Sequence, residues 1–317
     1  MSSEISLYQT MKKKYRDMFS TNTDTSDLFF PLDHQGEISD ETFLRYDNIH
    51  KVNNYWKSIS NTVQSWIPSD TKELWDINFK NRKEDLLRNG WIDTTTFEPK
   101  EINYSINQYG LRVRDLNDPI EPNGILWLGD SNIFGVGNHY TTNYSLKAHN
   151  NSQFKSRPYY NFGMPGAGIQ TYYRRLKYLI GIYKPYGIIL EWHWSTTRRE
   201  EFNRMAEFKF RLIKNEIDEN KEEDVKKYYN LYSAEASAMR YFTTYDAIKC
   251  LCYENDVRIF NMNDSTHLNE SMKEIKRKIW AEPWTRYKFS RDLIHTNEEW
   301  HNKRAENMIE IINQLWR

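Results

Sequence analysis

Cysteine is nearly missing from this chain of 317 residues: only Cys250 and Cys252 occur, two positions apart. A disulfide framework and a cysteine-based zinc site both need more, so neither is available. Both fall inside an expected helix, where side chains two apart diverge, and they read as reduced and half-buried. Net charge is missing as well. Lys and Arg together number 44, as do Asp and Glu, so no overall charge argues for nucleic acid or a membrane surface as a partner. No apolar run approaches the length that spans a bilayer. The opening stretch, MSSEISLYQTMKKKYRDMF, lacks the apolar core and cleavage site of a secretory signal, so synthesis in the cytoplasm is expected.

What is present is aromatic. The mean hydropathy of -0.87 by itself would suit a disordered chain. Aromatic residues nevertheless make up 15% of the sequence, with 11 tryptophans, and side chains of that size need a packed interior or a contact surface. At this length one large domain or two smaller ones can bury a core.

Two textures divide the chain. Residues 1–100 carry segments such as NNYWKSISNTVQSWIP (53–68) and KELWDINFKNRKEDLLRNGWID (72–93), with apolar residues at helical spacing between Ser, Asp, Thr and Pro breaks. They read as a helical N-terminal region whose tryptophans serve as core or contact anchors. From residue 101 to 317 apolar strand-like runs alternate with helical patterns. GILWLG (124–129), YYNFG (159–163), YGIILEWHW (186–194) and VRIFNM (257–262) read as strands. The intervening helices are expected within 140–150, 169–183 and 234–255, and a last one at 298–316. This alternation predicts an α/β fold, a three-layer sandwich with a central parallel sheet. Two charged stretches, 211–229 and 269–280, read as solvated helix faces.

In such a fold ligands bind beyond the carboxyl ends of the strands. Gly129-Asp130-Ser131-Asn132 follows the first central strand. Ser131 is there either as a helix cap or as a nucleophile, and Asp130 can brace the loop. A serine hydroxyl needs a base to take its proton. SRDLIHTN offers one, because Asp292 and His295 are three apart just before the last helix. In a turn that spacing lets the carboxylate orient the imidazole while the other ring nitrogen faces a serine. An ordinary histidine, with a pKa of about 6.5, can accept that proton near neutrality. His301, on the following helix, reads as structural. The glycine-rich YYNFGMPGAGIQ follows the second strand, and the backbone N–H groups of Ser131 and Gly163 would make an oxyanion hole.

This combination resembles the SGNH, or GDSL-type, hydrolase superfamily. Gly129-Asp130-Ser131 matches its first block, Asn161-Phe162-Gly163 its second, and Asp292-Leu293-Ile294-His295 its last. The lead-in INYSINQYGLRVRD is similar to the Asn-x-x-Gly-Leu-Arg stretch that precedes the first block in some members. The likeness spans residues 101–317 and implies a flavodoxin-like sheet and a Ser131–His295–Asp292 triad. It further implies oxyanion donors at Ser131 and Gly163, with Asp130 and Asn161 supporting the loops. The third block, Gly-x-Asn-Asp, is not found. His193, Ser195, Thr196 and Arg198 occupy its neighbourhood and are the candidate replacements for its Asn donor.

The resulting expectation is a serine hydrolase that cleaves an ester, an acyl or acetyl group on a carbohydrate or a small lipid-like ester. It needs no cofactor, and transfer of the acyl group to a sugar hydroxyl shares the same acyl-enzyme. Trp192 and Trp194 would suit sugar stacking or simple sheet packing. The competing expectation is a non-catalytic binding or assembly protein on the same fold, for example in a virus particle, docked on a protein partner through residues 1–100. A metal site drawn from His139, His193, His295, His301 and Asp292 lacks dedicated ligand spacing.

Overall fold

A computed structural model describes residues 59–67, 69–88, 101–191, 200–202, 206–208, 234–262, 273, 290–291 and 295–315. The charged stretch 211–229 lies outside them, and of 269–280 only Lys273 is described.

The first elements form a small antiparallel sheet. Strand β1 (Thr62–Gln64) pairs with β2 (Tyr104–Ile106), which pairs with β3 (Arg112–Val113). Between β1 and β2 lies helix α1 (Lys72–Arg88), which begins where the helical pattern of 72–93 predicts. Its first turn is capped by Thr71, whose Oγ1 accepts from Leu74 N at 3.1 Å. The helical reading of 53–68 fails at residues 62–64, which are extended. Thr62 and Val63 are β-branched and suit a strand, but their partner lies some forty residues downstream, where no local pattern can point. The β1–β2 ladder therefore ties residues on either side of position 100 into one sheet.

Among the described residues the central sheet is parallel and has four strands: β4 (Ile125–Gly129), β5 (Tyr159–Gly163), β6 (Gly187–Leu190) and β9 (Arg258–Asn261), ordered β5-β4-β6-β9. Strands β7 (Glu200–Phe202) and β8 (Ala206–Phe208) form a separate hairpin. Every residue of β4 is buried, because alternate side chains enter two cores. Leu126 and Leu128 share one with Leu176 and Leu179 of α4 (Ile169–Tyr183) and Ile248 and Cys252 of α5 (Ala234–Glu254). Ile125 and Trp127 share the other with Tyr144 and Ala148 of α3 (Tyr144–Asn150) and Trp300, Met308 and Ile312 of α6 (Glu298–Leu315). Helices thus cover both faces, the reason such strands read as continuous apolar runs. Neither cysteine is half-buried as expected: their side chains diverge so far that Cys250 is exposed and Cys252 buried.

From β4 the chain first visits β5 on one side, then crosses to β6 on the other. In folds of this kind such a reversal is where ligands bind, here at the carboxyl ends of β4 and β6. Asp130 and Ser131 follow the first of these strands, and Glu191 follows the second.

Candidate active site at the carboxyl rim

After β4 the chain turns at once into the four-residue helix α2 (Ser131–Phe134). Asp130 is its cap: Oδ1 accepts from Asn132 N at 3.0 Å. The capping role therefore falls to the aspartate, and Ser131 is the first helical residue. Ser131 is 6% exposed, and among the described residues no hydrogen bond engages its Oγ. Its N–H, at the first position of a helix, has no intrahelical acceptor.

The short helix is held from three sides. Asn161 of β5 donates Nδ2 to the Ile133 carbonyl at 2.8 Å. Asn143 donates to the same carbonyl at 2.6 Å while its Oδ1 caps α3 through Ser145 N. Arg112 supplies the largest share. Its guanidinium donates to the carbonyls of Phe134 (2.9 Å) and Gly135 (2.6 Å) at the end of α2 and of Asn138 (2.8 Å) in the loop that follows. It is fully buried and lies 4.5 Å from the Tyr104 ring centroid. Burial draws its pKa below the usual arginine value. The Gly-Leu-Arg lead-in thus has a physical role as the fastening of α2.

Gly163 carries a packing role besides the one expected of it. Its N–H donates to Asn161 Oδ1 at 2.9 Å, so in this conformation the second oxyanion donor is engaged within the protein. A Cβ on Gly163 would stand 2.2 Å from Phe134 N. The glycine is required because the backbone of α2 rests on it.

His295, from the far end of the chain, lies in a segment bonded to the loop that follows α2. Ser290 N donates to the His295 carbonyl at 2.8 Å and closes a turn. That turn is fastened to the loop following α2: Arg291 N donates to the Gly137 carbonyl (3.1 Å) and Asn138 Nδ2 to the Thr296 carbonyl (3.0 Å). His295 is half-buried. Its turn is bonded to the loop that follows α2, the helix Ser131 begins, and among the described residues no hydrogen bond joins the imidazole to the hydroxyl. Asp292, the expected acid, lies outside the described residues, as do Trp192, His193, Trp194, Ser195, Thr196 and Arg198. Glu191, just before them, is buried and paired with Arg304 of α6.

His301 is structural, as its position on the last helix suggests. It is 1% exposed, Nδ1 accepts from Tyr144 N at 3.0 Å, and burial, helped by the charge of Arg304, pushes its pKa down to about 3. Asp70, Arg291 and Tyr104, which join in a buried network (Arg291 Nη2 donates to Asp70 Oδ2 at 2.6 Å, and Tyr104 O–H to the same oxygen), carry no signal in the sequence. Asp70 stands where a helix cap would, and nothing periodic marks a buried ion pair. A cavity of about 350 Å³ lies apart from Ser131, lined by Tyr140, Tyr159, Tyr160 and Tyr183 among others. Of the expected site residues only Asn161 borders it. No described helix is long and apolar enough to cross a membrane.

No protein-family model matches this chain, and no curated protein does. Among solved structures, a gut microbial diltiazem-metabolizing enzyme aligns at 14% identity with a TM-score of 0.27. The alignment covers 61% of this chain and 47% of that one, so this chain matches less than half of that enzyme's length.

Proposed function

We propose that the protein is a serine hydrolase of the SGNH type that cleaves an ester through an acyl-enzyme on Ser131. One observation carries the reading: Asp130 performs the capping, which leaves the Ser131 hydroxyl uncommitted at the carboxyl end of β4. The turn bearing His295 is fastened to the loop that follows the same short helix.

In this reading His295 takes the proton as Ser131 Oγ attacks the ester carbonyl, and returns it to the leaving alcohol. Asp292 orients the imidazole. The developing oxyanion is met first by the N–H of Ser131. Gly163 contributes when its N–H exchanges Asn161 Oδ1 for the substrate oxygen. A residue among His193, Ser195, Thr196 and Arg198 completes the hole in place of the Asn of the third block. Water, or a sugar hydroxyl, then resolves the acyl-enzyme. The substrate class is an acyl or acetyl ester, and a carbohydrate acceptor suits the aromatic residues Trp192 and Trp194.

Hydrolysis of p-nitrophenyl acetate and of acetylated sugars by the full chain tests this. Wild type should turn over at least one of them, and Ser131→Ala should not. If the two proteins are equally inert across the panel, the non-catalytic alternative, an assembly or binding protein on this fold, takes its place.

A further inference from the structure

Asp70 and Arg291 are separated by 221 positions in the chain and meet in a buried ion pair. Arg291 Nε lies 3.0 Å and Nη2 2.6 Å from Asp70 Oδ2. Nη2 also donates to the Ser65 carbonyl at 2.6 Å, and the guanidinium lies 3.9 Å from the Trp66 ring centroid. Asp70 is 0% exposed. Tyr104 joins the same carboxylate: its O–H donates to Asp70 Oδ2 at 2.5 Å and its oxygen accepts from Gly137 N at 2.8 Å. Burial and the charge of Asp70 raise the Tyr104 pKa, so the phenol keeps its proton and can donate. The Gly137 carbonyl in turn accepts from Arg291 N. Asp70, Arg291, Gly137 and Tyr104 therefore form a closed ring of bonds.

This ring lies between the two parts of the candidate site. Gly137 belongs to the loop that follows α2, and Arg291 immediately precedes Asp292. The packing is close: a Cβ on Gly137, where φ is +73°, would stand 2.4 Å from Ser290 Oγ. Desolvating an aspartate and an arginine is costly, and apolar residues of equal volume commonly hold a fold as well or better. What charge-assisted bonds add is direction, since they fix the angle at which the turn meets the loop. Apolar packing would let the turn slide.

We propose that Asp70 is a positioning residue, which acts through Arg291 to hold Ser290 and Arg291, and with them His295, in register with the loop that follows α2. The functional consequence rests on the ester-hydrolase reading; the geometric part does not. The segment around β1, which carries no catalytic group, thereby becomes part of the machinery of the parallel-sheet domain.

The test compares Asp70→Asn and the milder Tyr104→Phe with wild type in the full chain. Amide hydrogen exchange over 290–296 reads the clamp, and ester turnover with fluorophosphonate labelling reads its consequence. Both variants should exchange about tenfold faster or more over 290–296 while β4 and β6 keep their protection. kcat and the labelling rate should fall about tenfold or more, with KM nearly unchanged. If Asp70→Asn does not fold, Tyr104→Phe carries the comparison. Unchanged exchange overturns the proposal, and so does faster exchange with full turnover. If wild type neither turns over an ester nor takes the label, the hydrolase reading falls, and the exchange comparison alone then decides whether Asp70 holds the turn.

Discussion

Gly163 rests against Phe134 so closely that a Cβ built on it would stand 2.2 Å from the Phe134 amide nitrogen and 2.7 Å from the Ile133 carbonyl carbon. The edge strand and the helix that begins at Ser131 are thus in backbone contact, and the neighbours are main-chain atoms that cannot swing aside. Gly163→Ala should cost about 1–3 kcal/mol of stability through overpacking and displace α2. Urea denaturation should record the loss, and labelling of Ser131 should slow in the folded fraction. An alanine variant with native stability and native labelling would show that α2 can move away freely.

Arg112 makes the complementary prediction. Arg112→Met keeps much of the volume but removes the guanidinium from three carbonyls: Asn138 loses its donor, while Gly135 keeps only Asn138 N and Phe134 only a long bond from Asn161. Orphaned buried groups each cost about 1–3 kcal/mol, so a net loss of about 2 kcal/mol or more is expected in urea. Arg112→Lys should recover only part of it, because one ammonium cannot reproduce the guanidinium fork.

The contrast between these two residues bears on what a sequence makes legible. The parallel sheet was readable because its inner strands β4 and β6 are buried on both faces and helices such as α4 and α6 carry an apolar stripe. The expected 159–163 and 169–183 coincide with β5 and α4. Strand β1 was not readable: it is three residues long, Val63 is 51% exposed, and its pairing partner is distant. At the site, Asp130 and Ser131 stand out because they end an apolar strand abruptly. Gly163 stood out as a glycine, but its neighbour proved to be a helix backbone. The Asp70–Arg291 pair leaves no trace, since two charged residues 221 positions apart look like surface residues until the fold brings them inside.

Two buried histidines, His149 and His301, should make stability fall in acid. His149 is pushed down to about 4 by burial, against which its bond to the Arg157 carbonyl works, and His301 is pushed down to about 3. Both folded values lie below the ordinary 6.5, so the unfolded chain binds these protons first as pH falls. Their contribution is whole above about pH 6.5 and declines below it, until the folded groups protonate near 4 and 3. The expected slope is about 1.4 kcal/mol per pH unit for each histidine. Urea midpoints between pH 7 and pH 5 should fall, and His301→Asn should flatten the fall. An unchanged slope in that variant would mean that His301 is not held neutral.

The cysteines should separate by reactivity. Cys250 is exposed, whereas burial pushes the Cys252 thiol up to about 12. Iodoacetamide at pH 8 should modify Cys250 in the native protein and Cys252 only after denaturation. Equal native reactivity, followed by peptide mapping, would place Cys252 outside the core between β4 and α5.

The most direct measurement is the mass of the intact protein after incubation with a fluorophosphonate at pH 8. Wild type should gain a single adduct that maps to Ser131. Ser131→Ala should gain none, and His295→Ala should label slower by about a hundredfold or more. No adduct on wild type, an adduct at another residue, or equal labelling with and without the imidazole at 295 would contradict nucleophilic chemistry at Ser131.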